Sequence, residues 1–264
     1  MDFKYFDIHS HLNLQPLRND EEAVVFRMRA HETATITVGV DAQTSRDAVL
    51  LAEKYPFFWA TVGLHPTDNT SEAFDFEEYK KIAAHPRVVA IGECGLDYFR
   101  NQTEETKNRQ KEVFKQHIML ALELNKPLMI HARPSKGSMD AYSDVLAMLE
   151  PYQKTIRANF HFFVGNKEIA MQVLALGFTI SFDGPITFAR DYDEVIQMVP
   201  LESLMAETDA PFAAPVPYRG KTCEPWMVEE VVKKIAEIRN EDFEKVRAQL
   251  LLNAMRFTGL TPLN

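Results

Sequence analysis

The sequence predicts an α/β fold, a single-domain (β/α)8 TIM-type barrel over residues 1–264. Three observations lead there. Eight short apolar, often β-branched segments recur along the chain, helical patterns separate them, and 264 residues match the roughly 250 that such a barrel needs. The segments are 4–9, 34–40, 57–64, 88–93, 127–131, 158–162, 178–182 and 204–208. They read as continuous apolar runs, as strands buried on both faces should.

The helical patterns follow in order. Residues 44–53 set Ala48, Leu51 and Ala52 on one face and close at Tyr55-Pro56, since proline disfavours helix in the residue before it. The longest, 104–125, turns Phe114, Ile118, Leu122 and Leu124 toward a core and stops at Lys126-Pro127. Residues 167–176 end at Gly177, a common helix-stop residue, and two amphipathic stretches, 225–239 and 241–255, follow the last strand. A doubly wound open sheet is the competing topology. The first strand is followed by no Gly-rich dinucleotide loop, and the chain has no P-loop.

Hydrophobic residues at 46% and charged residues at 25% allow a packed core. No apolar run approaches the roughly 20 residues of a membrane helix. The start enters a strand-like segment with no signal-peptide pattern. Cys94 and Cys223 form neither a disulfide framework nor a zinc cluster, and they fit a reducing compartment. A cytoplasmic protein with no membrane association and no evident obligate protein partner is expected. The net charge of −9 argues against a broad DNA-coating surface. It leaves room for an enzyme that grips one strand end with a few local cations.

Five of the eight histidines, His9, His11, His65, His131 and His161, fall at the carboxyl ends of predicted strands, which converge on one mouth in a barrel. The other three, His31, His85 and His117, sit in or beside helices and read as solvated or capping. His9 and His11 share a side of extended chain, so both imidazoles could bind one ion. Asp7 shares that parity and could orient a ligand. Val89, Ile91 and Glu93 would point inward, leaving Cys94 toward the helices. Glu93 is then either a surface glutamate at a loop start or a carboxylate able to bridge two ions about 3.5–4 Å apart.

A lone histidine such as His131 or His161 is more often a core residue with one hydrogen bond. Two at the same level of neighbouring strands point to a second metal position. Asp209 is either a turn-starting aspartate before Ala-Pro or the closing member of the set, and Glu207, of like parity, could hold a ligand histidine. Arg133 lies two residues beyond His131 on the same parity and could clamp a phosphate. Lys136, Arg219 and Lys221 read as solvated surface, and Arg100, Lys107, Arg109 and Lys111 as a solvated helix start. Mixed imidazole and carboxylate ligation suits two divalent ions, whether zinc, manganese, iron, nickel or loosely held magnesium.

Five segments then form an ordered pattern: Tyr-Phe-Asp-Ile-His-Ser-His-Leu-Asn at 5–13, Val-Gly-Leu-His-Pro at 62–66, Ile-Gly-Glu-Cys-Gly-Leu-Asp-Tyr at 91–98, Pro-Leu-Met-Ile-His-Ala-Arg at 127–133 and Glu-Thr-Asp-Ala-Pro at 207–211. Over nearly the whole chain this pattern resembles the TatD family of metal-dependent deoxyribonucleases, in the amidohydrolase superfamily. The resemblance implies metal ligands at His9, His11, Glu93, His131, His161 and Asp209, with Glu93 bridging. It also implies contacts from His65 and Arg133 to the substrate phosphate, and hydrolysis of DNA phosphodiesters, several members working from the 3′ end. In such an enzyme Asp209 would take the proton of the attacking water, making Asp209, Glu93 and His65 the catalytic set.

Departures from the family pattern are Ile8 for a small residue, Phe162 where cysteine is common, Cys223-Glu224-Pro225 for Asn-Glu-Pro, and Pro134-Ser135-Lys136 after Arg133. They bear on the substrate pocket rather than on the ligands. Two rival readings stand beside the nuclease. One is an amidohydrolase or lactonase acting on a small neutral substrate, whose fourth strand often carries a carboxylated lysine where this chain has Glu93. The other is a metal-binding barrel without activity.

Overall fold

The computed structural model describes residues 3–67, 72–100 and 103–260, so both ends of the expected 1–264 domain lie outside the described residues. Among the described residues eight strands pair in parallel, in chain order. They are β1 (Tyr5–Ser10), β2 (Thr33–Val38), β3 (Phe58–Val62), β4 (Val88–Asp97), β5 (Leu128–Arg133), β6 (Ala158–Phe160), β7 (Thr179–Phe182) and β8 (Leu204–Ala206). Helices α1 (Glu21–Ala30), α2 (Ala42–Lys54), α3 (Phe76–Ala83), α4 (Glu104–Leu124), α5 (Asp140–Leu149), α6 (Lys167–Ala175) and α7 (Asp193–Met198) alternate with them, and α8 (Val228–Arg239) and α9 (Phe243–Thr258) follow β8. This is the (β/α)8 barrel.

The sheet closes where β1 meets the segment after β8. Ser10 bridges Ala210, His11 N–H donates to the Ala210 carbonyl at 2.6 Å, and Asp209 N–H donates to the His9 carbonyl at 2.9 Å. One turn deeper, the buried Asp7 carboxylate accepts from Thr208 N–H at 2.9 Å and from its hydroxyl at 2.7 Å. Asp7 therefore stitches the backbone of the seam. It meets His9 only at the backbone N–H, 3.2 Å away, and not at the imidazole.

Local sequence explains where the helices start and stop. Thr103 caps α4 by accepting from Thr106 N–H, and Asn125 ends it in the left-handed region at φ 51°. Phe114, Ile118 and Ala121 bury the inner face of α4; a buried side chain the size of Phe114 contributes about 1.5–3 kcal/mol. Asp41 and Thr44 form a reciprocal cap at the start of α2.

Every strand differs from its sequence segment at one end or both, most by one or two residues, and the ends of β4, β6 and β8 bear on the site. β4 runs four residues past 93, because the register shifts between Ile91 and Cys94 and pairing with β5 then resumes. Gly92 makes this possible: its φ is 149°, and a Cβ there would lie 2.5 Å from the Met129 carbonyl oxygen. Gly63 lets β3 approach equally closely, since its Cβ would meet Gly92 backbone at 2.6 Å. β6 and β8 stop two residues early. Phe162 N–H goes to the Glu207 side chain at 2.6 Å rather than to a neighbouring strand, and Thr208 turns to Asp7.

His117 is also corrected. It is fully buried, because α4 packs on β4 and the rings of Phe74 and Tyr79 flank it. One ring nitrogen sits 2.8 Å from the Val113 carbonyl, four residues back in the helix. The other accepts Leu64 N–H at 2.9 Å, immediately before His65. Burial lowers its pKa to about 4, so folded His117 stays neutral where an unfolded histidine, near 6.5, takes a proton. Stability from this residue is therefore present above pH 6.5 and lost as pH falls toward 4. At pH 5 the loss is about 2 kcal/mol. Urea denaturation at pH 7.5 and pH 5 is expected to show wild type losing about that much more than His117→Gln.

Candidate metal centre

A cavity of about 490 Å³ opens at the carboxyl ends of the strands. Six side chains singled out in the sequence, His11, His65, Glu93, His131, His161 and Asp209, line it. His9 lies fully buried directly beneath, its ring stacked on that of His161 at 3.9 Å.

Glu93 occupies the centre, and its two oxygens face different partners. Oε1 lies 2.8 Å from His131 Nδ1, 2.8 Å from His161 Nε2 and 3.5 Å from His65 Nε2. Oε2 lies 3.4 Å from His9 Nε2 and 3.7 Å from His11 Nε2. Asp209 Oδ1 completes that second side, 3.7 and 3.4 Å from the same two nitrogens. Left-handed backbone at Asp209, φ 54°, turns its carboxylate back over the seam.

The electrostatics follow from burial. Desolvation would raise the Glu93 carboxyl, but the imidazoles of His161, His65 and His9 and the hydrogen bond from His131 hold it well below the usual range. Burial would lower His161, yet the carboxylates of Glu93 and Glu207 hold it well above the ordinary imidazole value. For His9 burial wins, helped by neighbouring His161, and its pKa falls.

The donor set fits divalent metal ions. The Nε2 atoms of His9 and His11 converge at 3.2 Å, where at most one of the two can supply a proton. Three triads have ligand atoms within 4.8 Å of one another: His9, Glu93 and His161; His9, His11 and Asp209; His65, Glu93 and His131. Cations between the two sides of Glu93 would use these lone pairs and offset the cost of burying carboxylates. His65, expected to contact phosphate, thus stands close enough to Glu93 to be a donor as well.

Supporting groups set the rings. Glu207 accepts from Phe162 N–H at 2.6 Å and from the Ser181 hydroxyl at 2.6 Å, and lies 3.4 Å from His161 Nδ1, the holding position expected for it. Asp97, unnoticed in the sequence, lies fully buried 3.2 Å from His131 Nε2. Burial opposes its ionisation, but His131 and the Arg100 backbone N–H hold its pKa at about 2. It fixes which His131 nitrogen turns to Glu93. Its signal was a carboxylate four residues past Glu93 in Gly-Leu-Asp-Tyr. Asp183, just past β7, was also missed. It is buried with Oδ2 lacking a hydrogen-bond partner, and burial, with Glu207 and Asp209 adding, pushes its carboxyl well up.

The basic run after β4 is solvated at Arg100 and Arg109, as expected, and half-buried at Lys107 and Lys111, but its cations also reach specific partners. Arg100 lines the cavity with Arg133, Lys107 reaches Asp140 at 3.2 Å, Arg109 donates to the Glu72 carbonyl at 3.0 Å, and Lys111 pairs with Asp144 at 2.8 Å. The turn after β4 is folded onto Asp97, which accepts from Phe99 and Arg100 N–H at 3.0 Å each. The thiols of Cys94 and Cys223 are buried and raised well above the usual value by desolvation, so neither is a nucleophile. Among the described residues no helix is long and apolar enough to cross a membrane.

The family model described as TatD related DNase matches residues 6–259. Over 260 residues the chain is 39% identical to an uncharacterized metal-dependent hydrolase, YabD, of Bacillus subtilis strain 168, covering 95% of this chain and 97% of that protein. Over 266 residues it is 32% identical to the 3′-5′ ssDNA/RNA exonuclease TatD of Escherichia fergusonii, covering 97% and 99%. The crystal structure of YJJV, a TatD homologue from Escherichia coli K12, matches with a TM-score of 0.89 at 26% identity, covering 99% of this chain and all of that one.

Titration of the stripped protein with manganese or zinc separates the roles of the two carboxylates. Glu93→Ala is expected to abolish tight binding at every position. Asp97→Asn, which leaves all direct donors in place, is expected to weaken it about 10–100-fold.

Proposed function

The chain belongs to the TatD family of metal-dependent hydrolases, and from that premise we propose that it hydrolyses phosphodiester bonds of single-stranded DNA, removing nucleotides from the 3′ end. The observation that carries this reading is the division of Glu93 between two donor sets, in a pocket that Arg100 and Arg133 also line. The exonuclease name of the Escherichia fergusonii relative supports the choice of reaction and direction.

His9, His11, Glu93, His131, His161 and Asp209 would hold the metal ions. When bound, such ions act as Lewis acids that polarise a phosphoryl oxygen and acidify water. A single general base contributes only about a hundredfold to ten-thousandfold, so residues must add electrostatic stabilisation to it. Asp209 is the base: its carboxylate stands at the pocket floor beside His9 and His11, where it can take a proton from water and hold it in line. Arg133 neutralises charge gathering on the phosphoryl oxygens and orients them through paired N–H groups. His65 faces the same space from β3 and donates to the phosphate once the Glu93 side is satisfied. The buried backbone contact from His117 to Leu64 holds His65 there.

The test is hydrolysis of 5′-labelled single-stranded DNA by stripped protein to which magnesium, manganese or zinc is restored. A ladder shortening from the 3′ end is expected only with metal. Asp209→Asn is expected to lower turnover about 10²–10⁴-fold with the bridging side of the metal centre still loaded. No cleavage of any phosphodiester by the loaded protein would overturn the reading.

A further inference from the structure

The metal centre accounts for the phosphate, but the pocket mouth carries apolar surface that phosphate chemistry does not use. Phe212 is 55% exposed and Phe99 48% exposed, values that need an explanation for large aromatic rings at the rim of a polar site. Phe212 lines the cavity on the β8 side, its ring 6.2 Å from that of His11. Phe99 stands after β4, four places away in a ring of eight strands and so on the opposite wall. The Arg133 guanidinium lies over the Phe99 ring at 4.2 Å and itself lines the cavity. Phe162, the residue that departs from the usual cysteine, lines the pocket between these walls.

These rings are held by their backbones. Phe212 N–H donates to the Asp209 carbonyl at 2.9 Å, and Cys223 N–H to the Pro211 carbonyl at 3.1 Å. Phe162 N–H is fixed by Glu207, and Phe99 N–H by Asp97. The three groups that accept from the ring-bearing residues, Asp209, Glu207 and Asp97, each belong to the candidate centre or stand behind one of its histidines. The backbone that carries each ring is thus fixed relative to the centre, and a phenylalanine has only two side-chain torsions to order on binding a flat partner.

We propose that these rings are stacking platforms for the nucleobases flanking the scissile phosphate, with Phe212 receiving one base and the Phe99–Arg133 pair the next. This inference rests on the phosphodiesterase reading. A guanidinium over an aromatic ring extends the flat cationic surface a base can stack on. Bases can reach both walls only if splayed off one another, so paired duplex ends are excluded and single strands accepted. Every base has a π-face, so little sequence preference follows.

The experiment uses metal-loaded protein and a short oligothymidylate with phosphorothioate linkages, which slow cleavage, ending in 2-aminopurine. A second probe has the same backbone with abasic residues at the last two positions. Fluorescence and competition are expected to give binding of the base-bearing strand about 5- to 100-fold tighter than the abasic one. Phe212→Ala is expected to erase most of that ratio while leaving abasic affinity in place, and Phe212→Trp to retain it. Equal affinity for both probes in wild type overturns the proposal, as does an equal loss for both in Phe212→Ala. The two readings fail separately. Cleavage of unmodified strand without base discrimination removes only the platforms, whereas base discrimination with no cleavage removes the nuclease and leaves a base-binding surface.

Discussion

The closure of the sheet between β1 and β8 is the constraint on which the site depends. Residues about two hundred positions apart meet there through the Ser10–Ala210 bridge and the two hydrogen bonds from Thr208 to buried Asp7. The residues that make the closing backbone bonds, His9, His11 and Asp209, are the ones whose side chains face one half of the centre. Barrel closure and assembly of that half are thus one event. Burial at this joint raises the Asp7 carboxyl well above its usual range, and the hydrogen bonds to Thr208 and the His9 N–H counter only part of that cost.

Glu93 plays the corresponding part for the other half. One side chain on β4 is reached by imidazoles from β1, β5 and the segments after β3 and β6. The imidazoles around it, with the hydrogen bond from His131, hold it well below the usual carboxyl range despite burial. Its place depends on the close approach of β3 and β4 at Gly63 and Gly92, where any side chain would force the strands apart and withdraw the carboxylate. The small residues beneath the site and the polar ones within it answer a single geometric demand.

Around this centre the supports are shared. Asp97 orients His131 and folds the turn bearing Phe99 and Arg100. Glu207 approaches His161 and fixes Phe162. Linking a histidine of the donor set and a rim residue through one carboxylate couples the position of that donor to the surface above it. Such coupling keeps a reacting group within the fraction of an ångström that catalysis requires.

The eight apolar segments and the histidines at their ends were legible in the sequence, because strands buried on both faces and polar residues at their carboxyl ends leave local signatures. The inward parity of Glu93 and Glu207 and the pairing of His9 with His11 could be read from residue spacing. What only the tertiary structure decided is everything that breaks a period or depends on a neighbour. Resumed pairing with β5 after the register shift extends β4 to Asp97, a carboxylate of Glu93's own parity that lay beyond the strand end read at 93. Packing of α4 on β4 made His117 a buried neutral acceptor for the Leu64 N–H rather than a solvated helix residue. The fold of one turn brought Arg100 to the pocket while its basic neighbours went to Asp140, Glu72 and Asp144. Sequence determined which chemistry the chain can bring together, since residue type and period are local. Closure of the barrel decided which atoms meet, since distance across the mouth is a property of the whole ring.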